Sequence, residues 1–145
     1  QLNTTIIDVA VDDASRTAFV QVRERESRED AAEFLKAAAA DFASRGVRFA
    51  RVMTDNGKVF RSFLFGGTLD VLGARQVFTR PYRPQTNGKA ERFIRTMLGE
   101  WAYAYSYEHS QARRSALSGW LRYYNEERPH HALKLRTPAQ RLLAC

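Results

Sequence analysis

An apolar, β-branched segment, Val47 to Met53, runs straight into Thr54-Asp55-Asn56-Gly57. Val47, Phe49 and Val52 supply the bulk of a buried strand. Asp55-Asn56-Gly57 supplies the turn that ends it. A second acid, Glu91, follows after 35 intervening residues. It comes just past the Pro/Gly/Asn-rich loop Arg80 to Gly88, in the first turn of a helix-forming run from Lys89. A chain with a carboxylate at a strand's carboxyl end and another at a helix start is constrained towards an α/β sheet. In such sheets the chemistry sits at the carboxyl ends of strands.

Taken singly, each acid has an ordinary explanation. Asp55 suits a turn, and Glu91 suits the positive end of a helix dipole. Together, a strand end and a helix start can offer two oxygens to one hard cation, with Mg²⁺ or Mn²⁺ the expected partner.

The remaining chain supplies the elements around them. Thr4 to Val11 reads as a strand, Asp12 to Ser15 as a turn and Thr17 to Val22 as the returning strand. Ser27-Arg28-Glu29-Asp30 has the look of a capping box. Ala31, Phe34, Leu35, Ala38 and Phe42 then form one helical face, closed by Gly46. Arg61 to Leu72 is predicted as a helix with Phe63, Leu64, Leu69 and Leu72 as its apolar residues, closed by Gly73. Arg75 to Thr79 is a short strand. Lys89 to about Tyr107 is a long helix with Phe93, Met97 and Trp101 along one side. Gln111 to Glu126 is another, stopped by Pro129, and Thr137-Pro138 starts a last short helix.

The chain has 145 residues and suits one domain, with enough apolar and aromatic residues for a core. No apolar run approaches the roughly 20 residues of a membrane span. The single Cys excludes an internal disulfide and a cysteine-built zinc cluster, which suits a reducing cytoplasm. Net charge is +7, favouring a polyanionic partner. From Arg75 to Arg95 there are six Arg or Lys against one acid, Glu91, so positive charge surrounds the proposed site.

Thr54-Asp55-Asn56-Gly57, the 35-residue spacer and Pro84-Gln85-Thr86-Asn87-Gly88-Lys89-Ala90-Glu91-Arg92 resemble the catalytic core of DDE integrases and insertion-sequence transposases. Tyr124-Asn125-Glu126-Glu127-Arg128-Pro129-His130-His131-Ala132-Leu133 and Thr137-Pro138 are similar to the end of that core in bacterial transposases, and Val9 to Arg16 matches its second strand and hairpin. The resemblance implies an α/β, ribonuclease-H-like mixed sheet flanked by helices. It implies metal-dependent DNA cleavage and strand transfer with Mg²⁺ or Mn²⁺, and Asp55 and Glu91 as catalytic metal ligands. Tyr82, Asn87, Lys89, Arg92 and Arg95 become DNA contacts, to element ends and target DNA. A homodimer or higher oligomer and a bacterial cytoplasmic, nucleoid-associated location follow from the same likeness.

The family's first strand carries its first catalytic Asp. By spacing, both would precede Gln1, so this chain is expected to lack that strand and to transfer strands weakly or not at all. Asp8 is the internal alternative. Asp12 and Asp13 read as turn residues, as do His130 and His131, which lack a partner pair for a metal. Two other readings stand beside the lead: a ribonuclease-H-like nuclease, and a non-catalytic DNA-binding or dimerisation domain derived from a transposase.

Overall fold

The computed structural model describes residues 6–23, 25–79, 88–102 and 110–144, with the side chains of 102, 110, 111 and 113 excepted. They fall into two compact units. One holds the described residues of Gln1–Asp8 and Gln21–Gly88; the other holds those of Val9–Val20 and Lys89–Cys145.

The class is mixed α/β, as expected. β1 (Ile6–Val11) and β2 (Ala18–Arg23) form a hairpin, and β3 (Arg51–Thr54) pairs in parallel with β4 (Arg75–Phe78). Among the described residues these are two separate two-stranded sheets. The strand that the resemblance places ahead of Thr4 lies outside those residues.

In the first unit, α1 (Arg28–Ser44) starts where Ser27 accepts the Asp30 N–H, and ends before Gly46 at φ +81°. Left-handed φ there explains the glycine. Ala31 and Leu35 of α1 meet Phe65 and Leu69 of α2 (Phe63–Leu72) in one core cluster with Ala74. Phe49, Val52, Val59, Phe60 and Leu72 pack around it. Burying side chains of this size stabilises by about 1.5–3 kcal/mol each. That offsets the cost of Gly66-Gly67 inside α2, about 1 kcal/mol apiece.

Two expectations need correction here. The strand spans four residues, not Val47 to Met53, and Met53 is 49% exposed. Val47 instead donates its N–H to Phe42 O at 2.9 Å, finishing the turn off α1, and Phe49 packs edge-on against Phe42. With β4 as its only ladder partner among the described residues, β3 buries one face. The helix expected from Arg61 begins at Phe63, behind a 3₁₀ turn (Lys58–Arg61) and a Ser62 cap. Its buried residues are Phe65, Thr68 and Leu69, while Phe63 is wholly exposed.

In the second unit, α3 (Gly88–Met97) runs into a π-helical turn (Leu98–Ala102), and Phe93, Met97 and Trp101 are all buried, as their spacing requires. The stretch 103–109 lies outside the described residues. α4 (Ser110–Glu126) lays Trp120 and Tyr124 against Phe93, with ring centroids 5.8 and 4.9 Å away. A 3₁₀ turn (His131–Leu133) leads to α5 (Pro138–Leu143), which Thr137 and Gln140 start with a full capping box.

Asn125 links α4 to β2. Its amide accepts the Ala18 N–H at 2.9 Å and donates to the Ala18 carbonyl at 2.8 Å, and both residues are buried. Replacing Asn125 leaves two buried backbone groups without partners. Asn125→Ala is therefore expected to lower unfolding free energy by about 2–4 kcal/mol, measured by urea titration; a loss under about 0.5 kcal/mol would contradict this role.

Candidate functional site

Asp55 follows β3 directly and is exposed. The parallel register Thr54↔Phe78 puts the carboxyl ends of β3 and β4 side by side. Thr79 donates its N–H to Thr54 O at 2.8 Å, and Asn56 donates its side-chain amide to Thr79 O at 2.8 Å. The loop after β3 is thus tied to the end of β4, where the segment Arg80–Asn87 begins. Gln76 adds a second tie, donating to Thr54 Oγ1 at 3.0 Å and Phe60 O at 2.7 Å.

Within the loop, the Gly57 N–H donates to Asp55 Oδ1 at 2.7 Å. A Cβ on Gly57 would sit 3.0 Å from that oxygen, so glycine permits the close turn. The turn chemistry read from Asp-Asn-Gly is present. It engages one carboxylate oxygen and leaves the other without a protein hydrogen bond among the described residues.

Glu91 belongs to the second unit. It is exposed in the first turn of α3, opposite the buried stripe of Phe93 and Met97. Arg92 and Arg95 are exposed as well. Among the described residues, the helical i,i+4 ion pairs are Asp41–Arg45 and Arg122–Glu126; Glu91 and Arg95 do not close one. Lys89 is engaged differently from its expected role. Its ammonium lies 2.9 Å from Asp13 Oδ1 and 3.0 Å from Asp13 O, fastening the tip of the β1–β2 hairpin. Tyr82 and Asn87 lie outside the described residues.

Asp8, the internal alternative for a first acid, is occupied. Its carboxylate is 3.3 Å from Arg23 Nε, and Arg23 also reaches Asp30 at 3.7 Å. Burial raises the Asp8 pKa, with Arg23 pulling the other way. An acid so placed braces β1 against β2. Among the described residues, no three His, Cys, Asp or Glu side chains gather as a ready-made metal cage.

The second unit holds polar residues that sequence reasoning passed over. Arg128 grips Glu100 with Nη2 at 2.7 Å and Nε at 3.0 and 3.1 Å from the two oxygens, and Trp120 Nε1 donates to the same carboxylate at 3.3 Å. The Glu100 bond raises the Arg128 pKa. Tyr124, buried beneath, is pushed up to about 12 by burial. His130 packs edge-on to Tyr124 at 4.9 Å and forms an isolated bridge with Arg136. The turn reading of His130 and His131 is therefore accurate.

The comparisons match this architecture. The fold is that of retroviral integrase cores, the ribonuclease-H-like class. The chain superposes with TM-score 0.72 on the crystallised catalytic core domain of BIV integrase, at 25% identity over 98% of this chain and 88% of that one. It superposes with TM-score 0.76 on a chain of the simian T-cell lymphotropic virus intasome solved with PP2A regulatory subunit B56 gamma, at 25% identity over 94% of this chain and 47% of that one. Residues 72–138 match the integrase core domain family. An uncharacterized protein of insertion element IS136 from Agrobacterium fabrum (strain C58) is 29% identical over 98 residues, covering 68% of this chain and 50% of that protein. The chain thus spans about half the length of the curated relatives it matches. The likeness to integrase and insertion-element proteins seen in the motifs is borne out. No helix among the described residues is long and apolar enough to cross a membrane.

His130 carries a pH consequence. Burial first, then the positive charges of Arg128 and Arg16, lower its pKa, while Glu100 opposes them. The ordinary value lies near about 6.5, so the unfolded chain binds this proton more readily. The contribution is complete above that pH and is lost as pH falls through the folded value. His130→Gln is expected to flatten the loss of stability between about pH 7 and 5, read from urea midpoints; an acid limb as steep as in the unmodified chain would contradict it.

Proposed function

We propose that this chain is the catalytic core of a DDE transposase or integrase, cutting DNA phosphodiesters and joining strands with Mg²⁺ or Mn²⁺. The observation that carries the reading is Asp55: an exposed carboxylate at the shared carboxyl end of a parallel strand pair, in a loop held by Asn56 and Gln76. It precedes the 72–138 segment that matches the integrase core and contains Glu91.

Asp55 and Glu91 fit a hard divalent ion. Both are exposed oxygen donors with no ion pair among the described residues, and oxygen donors are what a hard cation takes. When bound, such an ion neutralises charge at the scissile phosphate and activates the attacking oxygen. Asp55 and Glu91 would hold it. Arg92 and Arg95, exposed beside Glu91, take backbone phosphates, and Lys89 joins them by exchanging its Asp13 contact for a phosphate. Tyr82 stacks on a base or sugar, and Asn87 contacts the DNA end. Water as the attacking group nicks the strand; a DNA 3′-hydroxyl joins it to a new one, with the displaced 3′ oxygen leaving. Asp8 takes no part, because Arg23 already engages it.

The partner is DNA, both element ends and target, and the chain self-associates. Exposed apolar side chains on α2 support a protein partner surface: Phe63 is 100% exposed and Val71 88%.

The test is scission of DNA carrying element ends, in Mn²⁺, over hours. Slow nicking is expected from the unmodified chain. Asp55→Asn and Glu91→Gln should each reduce it by about a hundredfold, the equivalent of roughly 3 kcal/mol of lost transition-state stabilisation. DNA binding with no metal-dependent nicking, or nicking indifferent to both substitutions, would overturn the catalytic reading in favour of a binding module.

A further inference from the structure

The second unit contains a cleft of about 290 Å³ between the tip of the β1–β2 hairpin, the start of α3 and the stretch after α4. Arg16, Lys89, Arg92 and Arg128 line it with His130 and His131, and no Asp or Glu is among its lining residues. The volume is at the small end for ligand sites and suits one phosphate with its sugar better than a stacked base.

Two of the four cations already have carboxylate partners, Lys89 on Asp13 and Arg128 on Glu100. The other two do not. Among the described residues, the Arg16 guanidinium donates to the carbonyls of Asp13 and Ala14 and makes no ion pair. Arg92 is exposed and makes no ion pair among the described residues. Among the described residues the cleft therefore keeps two guanidinium groups without a carboxylate partner, which is the composition of an oxyanion site. Arg16 also sits at φ +67°, a left-handed position where a bare turn would favour Gly or Asn. An arginine there delivers a guanidinium to the cleft.

We propose that this cleft, through Arg16 and Arg92, seats one phosphodiester of a DNA backbone. The assignment rests on the reading of this chain as a DNA-handling core and adds Arg16 to the contacts on α3. The surrounding network gives it rigidity. Glu100 fixes Arg128 from behind, and Asn125 fixes β2 through Ala18, so the hairpin tip and the Arg128–Ala132 stretch are each braced before DNA arrives. Charged and titratable groups around His130 are Arg128, Arg16, Glu100 and Tyr124. A bound anion screens the first two, so His130 also serves as a reporter.

The experiment is fluorescence anisotropy of the 145-residue chain with a short labelled duplex, over a salt series without divalent metal. Arg92→Gln removes no ion pair found among the described residues and should weaken binding by about three- to tenfold, and the double variant with Arg16→Gln should lower the log K against log salt slope by about 1. Arg122→Gln, exposed on α4 and outside the cleft, should leave both unchanged. Arg92→Gln alone keeps the test decisive if the Arg16 variant fails to fold. Inorganic phosphate, followed by the NMR titration of His130, checks the site directly and should raise its pKa. Duplex affinity and slope unaltered in the Arg92 variant would overturn the proposal. So would phosphate binding that moves His130 while duplex binding ignores both arginines. A chain that binds duplex through these arginines yet never nicks it supports the cleft while refuting the catalytic reading.

Discussion

The parallel ladder between Arg51–Thr54 and Arg75–Phe78 is the constraint on which the proposed chemistry depends. Parallel pairing requires both strands to finish at the same edge. Everything leaving that edge, Asp55-Asn56-Gly57 from one strand and Thr79 from the other, starts as neighbours. Asn56 and Gln76 then use side-chain amides to satisfy groups that the four-residue ladder does not reach. The carboxylate of Asp55 is held by backbone geometry rather than by a counter-ion. It thus remains exposed, with no counter-ion among the described residues, which is the condition a metal ligand must meet.

The second unit solves a different problem. Its helices carry aromatic bulk, and Phe93, Trp120 and Tyr124 fill one core through edge-on and tilted contacts. The conspicuous tail motif turns out to be largely structural. Tyr124 belongs to the core, Asn125 clasps Ala18, Arg128 grips Glu100 and Leu133 is buried. The bidentate Arg128–Glu100 pair is only partly buried, so solvent screens it and its main effect is to fix the arginine's position. The groups of this motif largely satisfy one another, and Arg128, His130 and His131 also line the cleft beside Arg16 and Arg92.

Local chemistry was legible in the sequence; distant pairing was not. Ser27, Gly46, Gly73 and Thr137-Pro138 mark helix ends through bonds spanning a few residues, so their spacing suffices. The stripe Phe93, Met97, Trp101 reads at helical period and is buried throughout. The contacts of Asn125 with Ala18 and of Lys89 with Asp13 join positions 107 and 76 residues apart, and no local pattern announces either. Strand length failed for a related reason. Val47 to Ala50 has strand-like composition, but Val47 is claimed by the turn off α1, and only pairing decides where a ladder begins. Phe63 shows the same limit. It counts among the apolar residues of the expected helix, but the helix starts at that residue and leaves it exposed.

For the site, the turn at Asp55 and the helix-start position of Glu91 followed from their neighbours in sequence. Which basic groups are already neutralised did not, since that depends on Asp13 and Glu100 in space. The central claim is that Asp55 and Glu91 are ligands of a divalent ion. Anomalous diffraction from crystals grown in MnCl₂ tests it most directly. The account predicts a manganese peak coordinated by carboxylate oxygens of both residues. Manganese bound elsewhere, with both carboxylates turned to solvent and carrying no metal, would contradict it.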